Sequence, residues 1–439
     1  MLDPTKTSAK FAVPSSKWLL VDALYGGTTT MRAAREAYLP KNPKEHEADY
    51  NARVNRSTLY NAYRKTITQA VSRTFGADIE LAGYPGEVLL FAEDVDAQDR
   101  SLTEFAKESF TDALHRGVSY FLVDLPFREE PVVTLADADR PYWVPIKATQ
   151  VLAAYSAMDG GSERLTHFRF REYALDLSPD GLTETTVEQV RVFTQPSSTD
   201  PVSFTVYRRV NAAATTLAPM TGGNQAGTGW VVAAEGVIPG MPQIPVVPIY
   251  TNRVGFYIGT PPLMDLAELN VAHWQSSSEQ SNVLHVARVP FLHIKGYDAG
   301  IDPVTGKQRE QEISIHSVLT TGPEGDAKWV ETNGKALSAG FQHMADLETK
   351  MDEYGVTLTA SRSGPTTATE VAVNTASSSS VLKDYALALA KALEQGLALT
   401  AIYLGHGPVS GSVAIDTTFA VDLQAQTEPP EQVAPSQAA

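Results

Sequence analysis

Residue types that do chemistry are present in this sequence, but not at the spacings that chemistry needs. A phosphate-cradling loop requires G-x-x-x-x-G-K-[ST], so that backbone amides and the lysine converge on the phosphates. The nearest stretch is Gly300-Ile301-Asp302-Pro303-Val304-Thr305-Gly306-Lys307-Gln308. It is one residue too long, and Gln308 stands where a magnesium-binding hydroxyl belongs, so it reads as a turn in a hairpin. Gly405-His406-Gly407 with Gly411 imitates a dinucleotide fingerprint, but it follows a helix instead of joining a strand to one. Ser380-Val381-Leu382-Lys383 fits S-x-x-K of the penicillin-recognising enzymes. Its companions S-D-N and K-T-G are missing, and Val304-Thr305-Gly306-Lys307 has the wrong order. Asp94, Asp96 and Asp99 look like the front of a calcium loop, yet Phe105 occupies the twelfth position and the central glycine is absent.

The remaining candidates are weaker. Histidines 46, 115, 167, 273, 285, 293, 316, 343 and 406 are scattered, with no H-E-x-x-H pair. His273, beside Trp274, reads as a packing or polar contact. Glu129-Glu130 and Asp352-Glu353 read as solvated faces. The chain has no cysteine, which excludes thiolate catalysis, Cys-ligated zinc, iron–sulfur clusters and disulfides. No catalytic, cofactor-binding or metal-binding residue is assigned, no cofactor is expected, and an enzyme is not expected.

Composition sharpens the class. The 439 residues would fill about two or three domains. A hydrophobic fraction of 43% with 20% charged residues is that of a globular chain. The net charge of -16 excludes a tight nucleic-acid wrapper, which needs a basic surface. It leaves room for a protein that lets DNA pass without holding it. The start, Met1-Leu2-Asp3-Pro4, has no signal-peptide pattern, and Tyr385 to Leu404 is interrupted by Lys391, Glu394 and Gln395, so no membrane span is expected.

The elements that would position any site follow from periodicity. Trp18 to Ala23 reads as a short helix broken by Gly26-Gly27. One amphipathic helix is expected from about Glu45 to Phe75, with Arg53, Arg56, Arg64, Lys65 and Arg73 on a solvated basic side. Ile79 to Leu81 and Val88 to Phe91 read as strands. Ser101 and Glu104 form a capping box for a helix from Leu102 to Arg116, stopped by Gly117. Residues 142–250 alternate apolar and polar like an antiparallel meander, with turns at Gly160-Gly161, Asp180-Gly181 and Gly222-Gly223. Ala212 to Gly229 reads as an exposed loop.

Beyond Pro261-Pro262 the texture becomes helical. Leu263, Leu266, Ala267, Asn270, Val271 and Trp274 form a stripe that dissolves into Ser276-Ser277-Ser278-Glu279-Gln280-Ser281-Asn282. So polar a second half suits packing against copies of itself around water better than burial in a monomer. A β-rich module is expected over 291–334, then a second helix from Lys335 to Tyr354, a small-residue loop around Arg362, and a third helix from Thr369 to Leu404. The tail from Asp422 reads as disordered from its composition.

Several runs resemble the tailed-bacteriophage portal proteins, in particular a portal-like group known only as a domain of unknown function. They are Pro261-Pro262-Leu263-Met264-Asp265-Leu266-Ala267-Glu268-Leu269-Asn270, then His273-Trp274-Gln275-Ser276-Ser277-Ser278 and Val289-Pro290. Tyr38-Leu39-Pro40, the end of the Arg64 to Gly76 helix, Asp94-Val95-Asp96 with Ser101-Leu102, Gly117 to Pro126 and Leu165 to Phe193 agree in order. The resemblance covers about residues 35 to 405.

It implies an α+β portal fold: a β-rich wing at 1–260, stem helices at 261–287 and 335–354, and a clip at 288–334. A channel loop would occupy 355–368, a long helix 369–405, and a partly disordered tail 406–439. Many portals continue into a helical crown, which this sequence does not show. The implied function is a ring, usually of twelve subunits, at one capsid vertex of the virion, assembled in the host cytoplasm. It would pass double-stranded DNA during packaging and ejection, and dock the terminase large subunit and a head-to-tail adaptor beside the major capsid and scaffolding proteins. Arg362, Ser361, Thr359, Lys335, His343 and Lys350 would meet DNA. Asp302, Thr305, Lys307, Glu324 and Lys328 would face the motor and adaptor, and Leu266, Asn270 and Trp274 the neighbouring subunit. Two alternatives stay open: another ring-forming head-completion protein or adaptor, and a β-rich hydrolase. The hydrolase predicts a deep pocket with two carboxylates about 5–10 Å apart.

Overall fold

The computed structural model describes residues 3–126, 140–178, 180–210, 229–287, 291–295, 325–330, 334–359 and 368–417. The chain is mixed α/β and divides into two compact units. The larger comprises residues 1–27, 61–268 and 351–439, and the smaller 28–60 and 269–350.

The larger unit is built on a three-stranded antiparallel sheet in which Val118–Asp124 lies between Tyr142–Lys147 and Val246–Tyr250. The central strand is buried for six of its seven residues, as a strand covered on both faces must be. The helix Leu102–Arg116 feeds it. Ser101 Oγ accepts the Glu104 amide while the Glu104 carboxylate accepts the Ser101 amide, and Gly117, in the left-handed region, ends the helix as expected. On the sheet, Phe121 and Trp143 stack at 4.5 Å between ring centroids, with Phe105 edge-on to both.

The helix Ala368–Tyr403 also belongs to this core. Leu389, Leu393 and Leu397 recur every four residues and are fully buried, the face that i, i+4 spacing creates. Thr400 Oγ1 accepts the Trp143 indole N–H at 2.9 Å. Gly396 sits where a Cβ would lie 2.5 Å from the Phe121 ring and 2.9 Å from Trp143, so only glycine lets the helix approach this closely.

The expected meander is a five-stranded sheet in sequence order: Val151–Asp159, Ser162–Leu177, Glu184–Thr194, Val202–Arg209 and Trp230–Ile238. Asp124 joins the two sheets by pairing with Arg191, which also reaches Glu172 at 3.2 Å. Residues 211–228, and with them the Gly222-Gly223 turn, lie outside the described residues.

Some expectations need correction. The helix expected over 45–75 is two helices, Glu47–Arg56 and Ala62–Thr74. Ser57 turns extended and Asn61 starts afresh, its side chain accepting the Arg64 amide, so two apolar stripes of similar phase read as one in sequence. Val88 to Phe91 is not a strand. It belongs to the helix Gly86–Phe91, whose first turn closes on the Pro85 carbonyl. A four-residue apolar run does not distinguish the two by periodicity. The N-terminal helix is longer than read, Ala9–Gly26. Arg53 is not solvated: it is 2% exposed.

Candidate functional site: the helical hairpin of the smaller unit

The smaller unit takes most of the helix Met264–Ala287 and of the helix Gly334–Thr359. Their 24 and 26 residues make each roughly 36–39 Å long. Between them, Phe291–Lys295 pairs antiparallel with Asp326–Val330, Phe291 opposite Val330 and Lys295 opposite Asp326. Side chains tie the helices in the same sense. His273 Nε2 lies 3.1 Å from Glu348 Oε1, and seven residues further on Gln280 Nε2 donates to the Leu337 carbonyl at 3.0 Å. Moving up the first helix from His273 to Gln280 moves the contact down the second from Glu348 to Leu337, so the two helices run antiparallel, as the strand pair does. Gly340 makes room for a side chain of the other helix: a Cβ there would stand 2.0 Å from Gln280 Oε1.

The polar run, unsuited to a monomer core, is partly used inside the unit. Ser278 Oγ accepts from Ser57 Oγ at 2.7 Å, Gln275 donates to the Tyr38 carbonyl, and Asn282 accepts from Arg56. The Tyr38-Leu39-Pro40 carbonyls gather three donors, Gln275, Tyr50 Oη and Arg53. Arg53 is clamped by Glu45 through both carboxylate oxygens at 2.8 Å, which holds the Glu45 carboxyl below its ordinary range. The His273 ring is buried and tilts against Tyr60 at 5.3 Å.

Much of the second helix is nevertheless open. Between Ser338 and Tyr354 only Leu347 and Met351 are buried, and Phe341 and Tyr354 are 49% and 43% exposed. Charge is skewed: Met264–Ala287 carries Asp265, Glu268 and Glu279 with no Lys or Arg. Gly334–Thr359 carries Asp346, Glu348, Asp352 and Glu353 against Lys335 and Lys350.

The sequence-predicted residues fall as follows. Lys335, His343 and Lys350 lie on the second helix, and spacings of eight and seven place them on one side of it. His343 and Lys350 are exposed. This helix runs five residues past the expected start of the loop, so Thr359 is its last residue. Gly355 permits the continuation, buried where a Cβ would lie 3.2 Å from Thr66 Oγ1. Ser361 and Arg362 lie outside the described residues, as do Asp302, Thr305, Lys307 and Glu324, and so does the Gly300–Gln308 turn. Lys328 is exposed on its strand, opposite His293. Leu266, Asn270 and Trp274 are fully buried within the single chain, and Asn270 donates to the Tyr60 carbonyl at 2.7 Å. These three therefore serve the protomer's own packing.

Other chemistry is disfavoured on geometry. Asp94 and Asp96 accept loop amides of Gln98 and Asp99 and pair with Arg140 and Arg100, which leaves them no role as calcium ligands. Among the described residues no three His, Asp or Glu converge as a metal site, and no helix is long and apolar enough to cross a membrane. A cavity of about 540 Å³ in the larger unit is lined by one carboxylate, Glu163, rather than two.

The fold and hairpin define a mixed α/β chain whose distinctive part is a long helix, a strand pair and a second long helix folded back on it. The family model described as "Domain of unknown function (DUF4055)" matches residues 262–404, which span that hairpin and the helix Ala368–Tyr403. No curated protein matches the chain. Similar solved chains include one from the virion of a native gene transfer agent particle, at 13% identity and a TM-score of 0.40, covering 81% of this chain and 79% of that one. Another comes from the neck of an empty gene transfer agent particle computed with C6 symmetry, at 13% identity and a TM-score of 0.44, covering 81% and 80%.

Proposed function

We propose that this chain is a portal subunit: copies form a closed ring, of about twelve by the resemblance, through which double-stranded DNA is packaged and ejected. The observation that carries this reading is the antiparallel hairpin of two long helices, with one helix left largely uncovered along its length. A helix with so few buried side chains gains little from its own chain, and copies around a ring would cover it. The acidic balance of both helices fits a conduit, since carboxylates facing DNA repel phosphates and keep it from binding tightly. Lys335, His343 and Lys350, aligned on one side of the second helix, would give each subunit a few weak backbone contacts, with Thr359, Ser361 and Arg362 beyond its end.

The strand pair and the residues between its strands, from Asp302 to Glu324, would meet the terminase large subunit and later the head-to-tail adaptor, with Lys328 among the contacts. The burial of Leu266, Asn270 and Trp274 moves the proposed subunit contact to the exposed side of the second helix around Phe341, which faces away from His343 and Lys350. Localisation would be the capsid vertex of a virion. The described cavity of about 540 Å³ lacks the carboxylate pair that the hydrolase reading predicts. The loop contact is tested by Arg362→Ala: packaged DNA length and retention should fall while particle assembly is unchanged. Full packaging and retention in the variant would remove Arg362 from the DNA path.

A further inference from the structure

The 540 Å³ cavity has a composition that its surroundings do not use up, independently of the proposed function. It lies in the larger unit between the strand Val246–Tyr250, the short hairpin in which Arg253–Gly255 pairs with Ile258–Gly259, and one face of the helix Ala368–Tyr403. Ala388, Lys391, Ala392 and Gln395 line it at the i, i+3, i+4 and i+7 positions of that helix. Its size is that of an ordinary ligand pocket.

Its charges are unbalanced. Arg164 is committed to Asp159 at 3.2 Å and to the Gln195 side chain at 2.9 Å. Arg253 has no carboxylate partner among the described residues: it lies over the Tyr250 ring at 5.2 Å and donates weakly to the Gly255 carbonyl. Lys391 is exposed and makes no ion pair among the described residues. The lone carboxylate, Glu163, accepts from Ser156. Tyr250 Oη accepts the Tyr257 amide at 2.7 Å, which leaves its own proton to donate. Tyr257 itself holds a φ of 57°, a left-handed conformation that a bulky residue rarely adopts. Tyr120 Oη bonding its carbonyl and its own Oη bonding Val246 keep it there. Such strain, held by several hydrogen bonds, clusters at ligand clamps.

Two uncommitted cations and a tyrosine donor over an apolar floor fit a carboxylate on an otherwise apolar peptide better than a bare phosphate chain. We propose that this cleft binds an acidic peptide segment, and that residues 418–439 of the same chain supply it. That segment contains Asp422, Glu428 and Glu431 with no Lys or Arg, and Asp422 stands between Val421 and Leu423, three residues after Phe419. Its tether is close by along the chain. The strand Ser412–Ala414 is fixed by the Val413 amide donating to Glu394 Oε1 at 3.0 Å, one residue before Gln395. From Thr417 to Asp422 the chain can span about 17 Å, and so short a tether gives a local concentration on the order of millimolar.

The absence of native cysteine makes a clean test. In the full chain, Gln395→Cys with Gln424→Cys, which leaves Asp422 in place, should form an intramolecular disulfide about tenfold faster, or more, than Lys383→Cys with Gln424→Cys. Lys383 sits on the same helix roughly 18 Å away, and a disulfide needs Cα atoms within about 7 Å. Adding Arg253→Glu and Lys391→Glu should bring the fast pair down to the control rate. All the substituted side chains of the cleft are exposed, and circular dichroism checks that the fold is kept. Equal rates for the two pairs would overturn the proposal, as would a fast pair untouched by charge reversal. A disulfide-linked dimer would assign the segment to a second copy and overturn its assignment to the same chain.

Discussion

Arg53 illustrates how far a residue's surroundings can depart from its helical phase. Its spacing puts it beside Arg56 on a basic side, yet Glu45 and the Pro40 carbonyl, both local in sequence, draw it inside. No pattern in the sequence announces a buried arginine, whereas Tyr38-Leu39-Pro40, noticed as a motif, turns out to matter for its carbonyls. Truncating Glu45 leaves a buried guanidinium unpaired, so Glu45→Ala should cost about 3–5 kcal/mol in urea unfolding, partly recovered by adding Arg53→Leu. Loss below about 1 kcal/mol would mean the pair relaxes to solvent.

A second residue-scale expectation concerns acid. His115 is buried against Tyr25, bonded to Asp22 at 2.7 Å, and burial foremost holds its pKa below 6.5. His167 is pushed down to about 4, by burial first and by Arg169 second. Both rings are neutral in the folded chain at pH values where the unfolded chain would protonate them. Their contribution is therefore complete above pH 6.5 and is lost as pH falls towards 4. Unfolding free energies measured from about pH 7.5 to about 4.5 should decline across that window, and His167→Phe should flatten the decline. A flat wild-type profile would contradict the burial argument.

At the scale of elements, the long periodic segments were legible because their signals are redundant. The capping box and Gly117 delimit one helix, and leucines four apart delimit the last one. What was not legible depends on partners distant in sequence: the break at residues 57–61, the helix at Gly86–Phe91, and the continuation through Gly355. Gly340 and Gly396, isolated glycines inside helical patterns, were the available signal that another group approaches closely. For Gly396 the magnitudes can be weighed. Alanine gains about 0.8–1.0 kcal/mol of helix propensity but drives a methyl into the rigid Phe121–Trp143 stack, which costs roughly 1–3 kcal/mol. Gly396→Ala should thus lower stability by about 1 kcal/mol, read from the shift in urea midpoint at constant slope. A gain in stability would show that the stack yields.

At the scale of the whole molecule, the acidic charge and the uncovered second helix point the same way. A net charge of -16 rules out tight wrapping of DNA, and the carboxylates of both long helices locate part of that charge in the hairpin. Phe341, apolar and exposed on the second helix opposite His343 and Lys350, is what a neighbouring copy would cover. The number of copies and the partners at the strand pair were read from resemblance alone, because residues that act only in an assembly leave no periodic trace in one chain. The most direct test of the account is electron cryomicroscopy of the purified full-length chain, with native mass spectrometry of the same sample. The account predicts closed rings of about twelve copies around an open central channel, lost on Phe341→Glu. A monodisperse monomer at high protein concentration would contradict it.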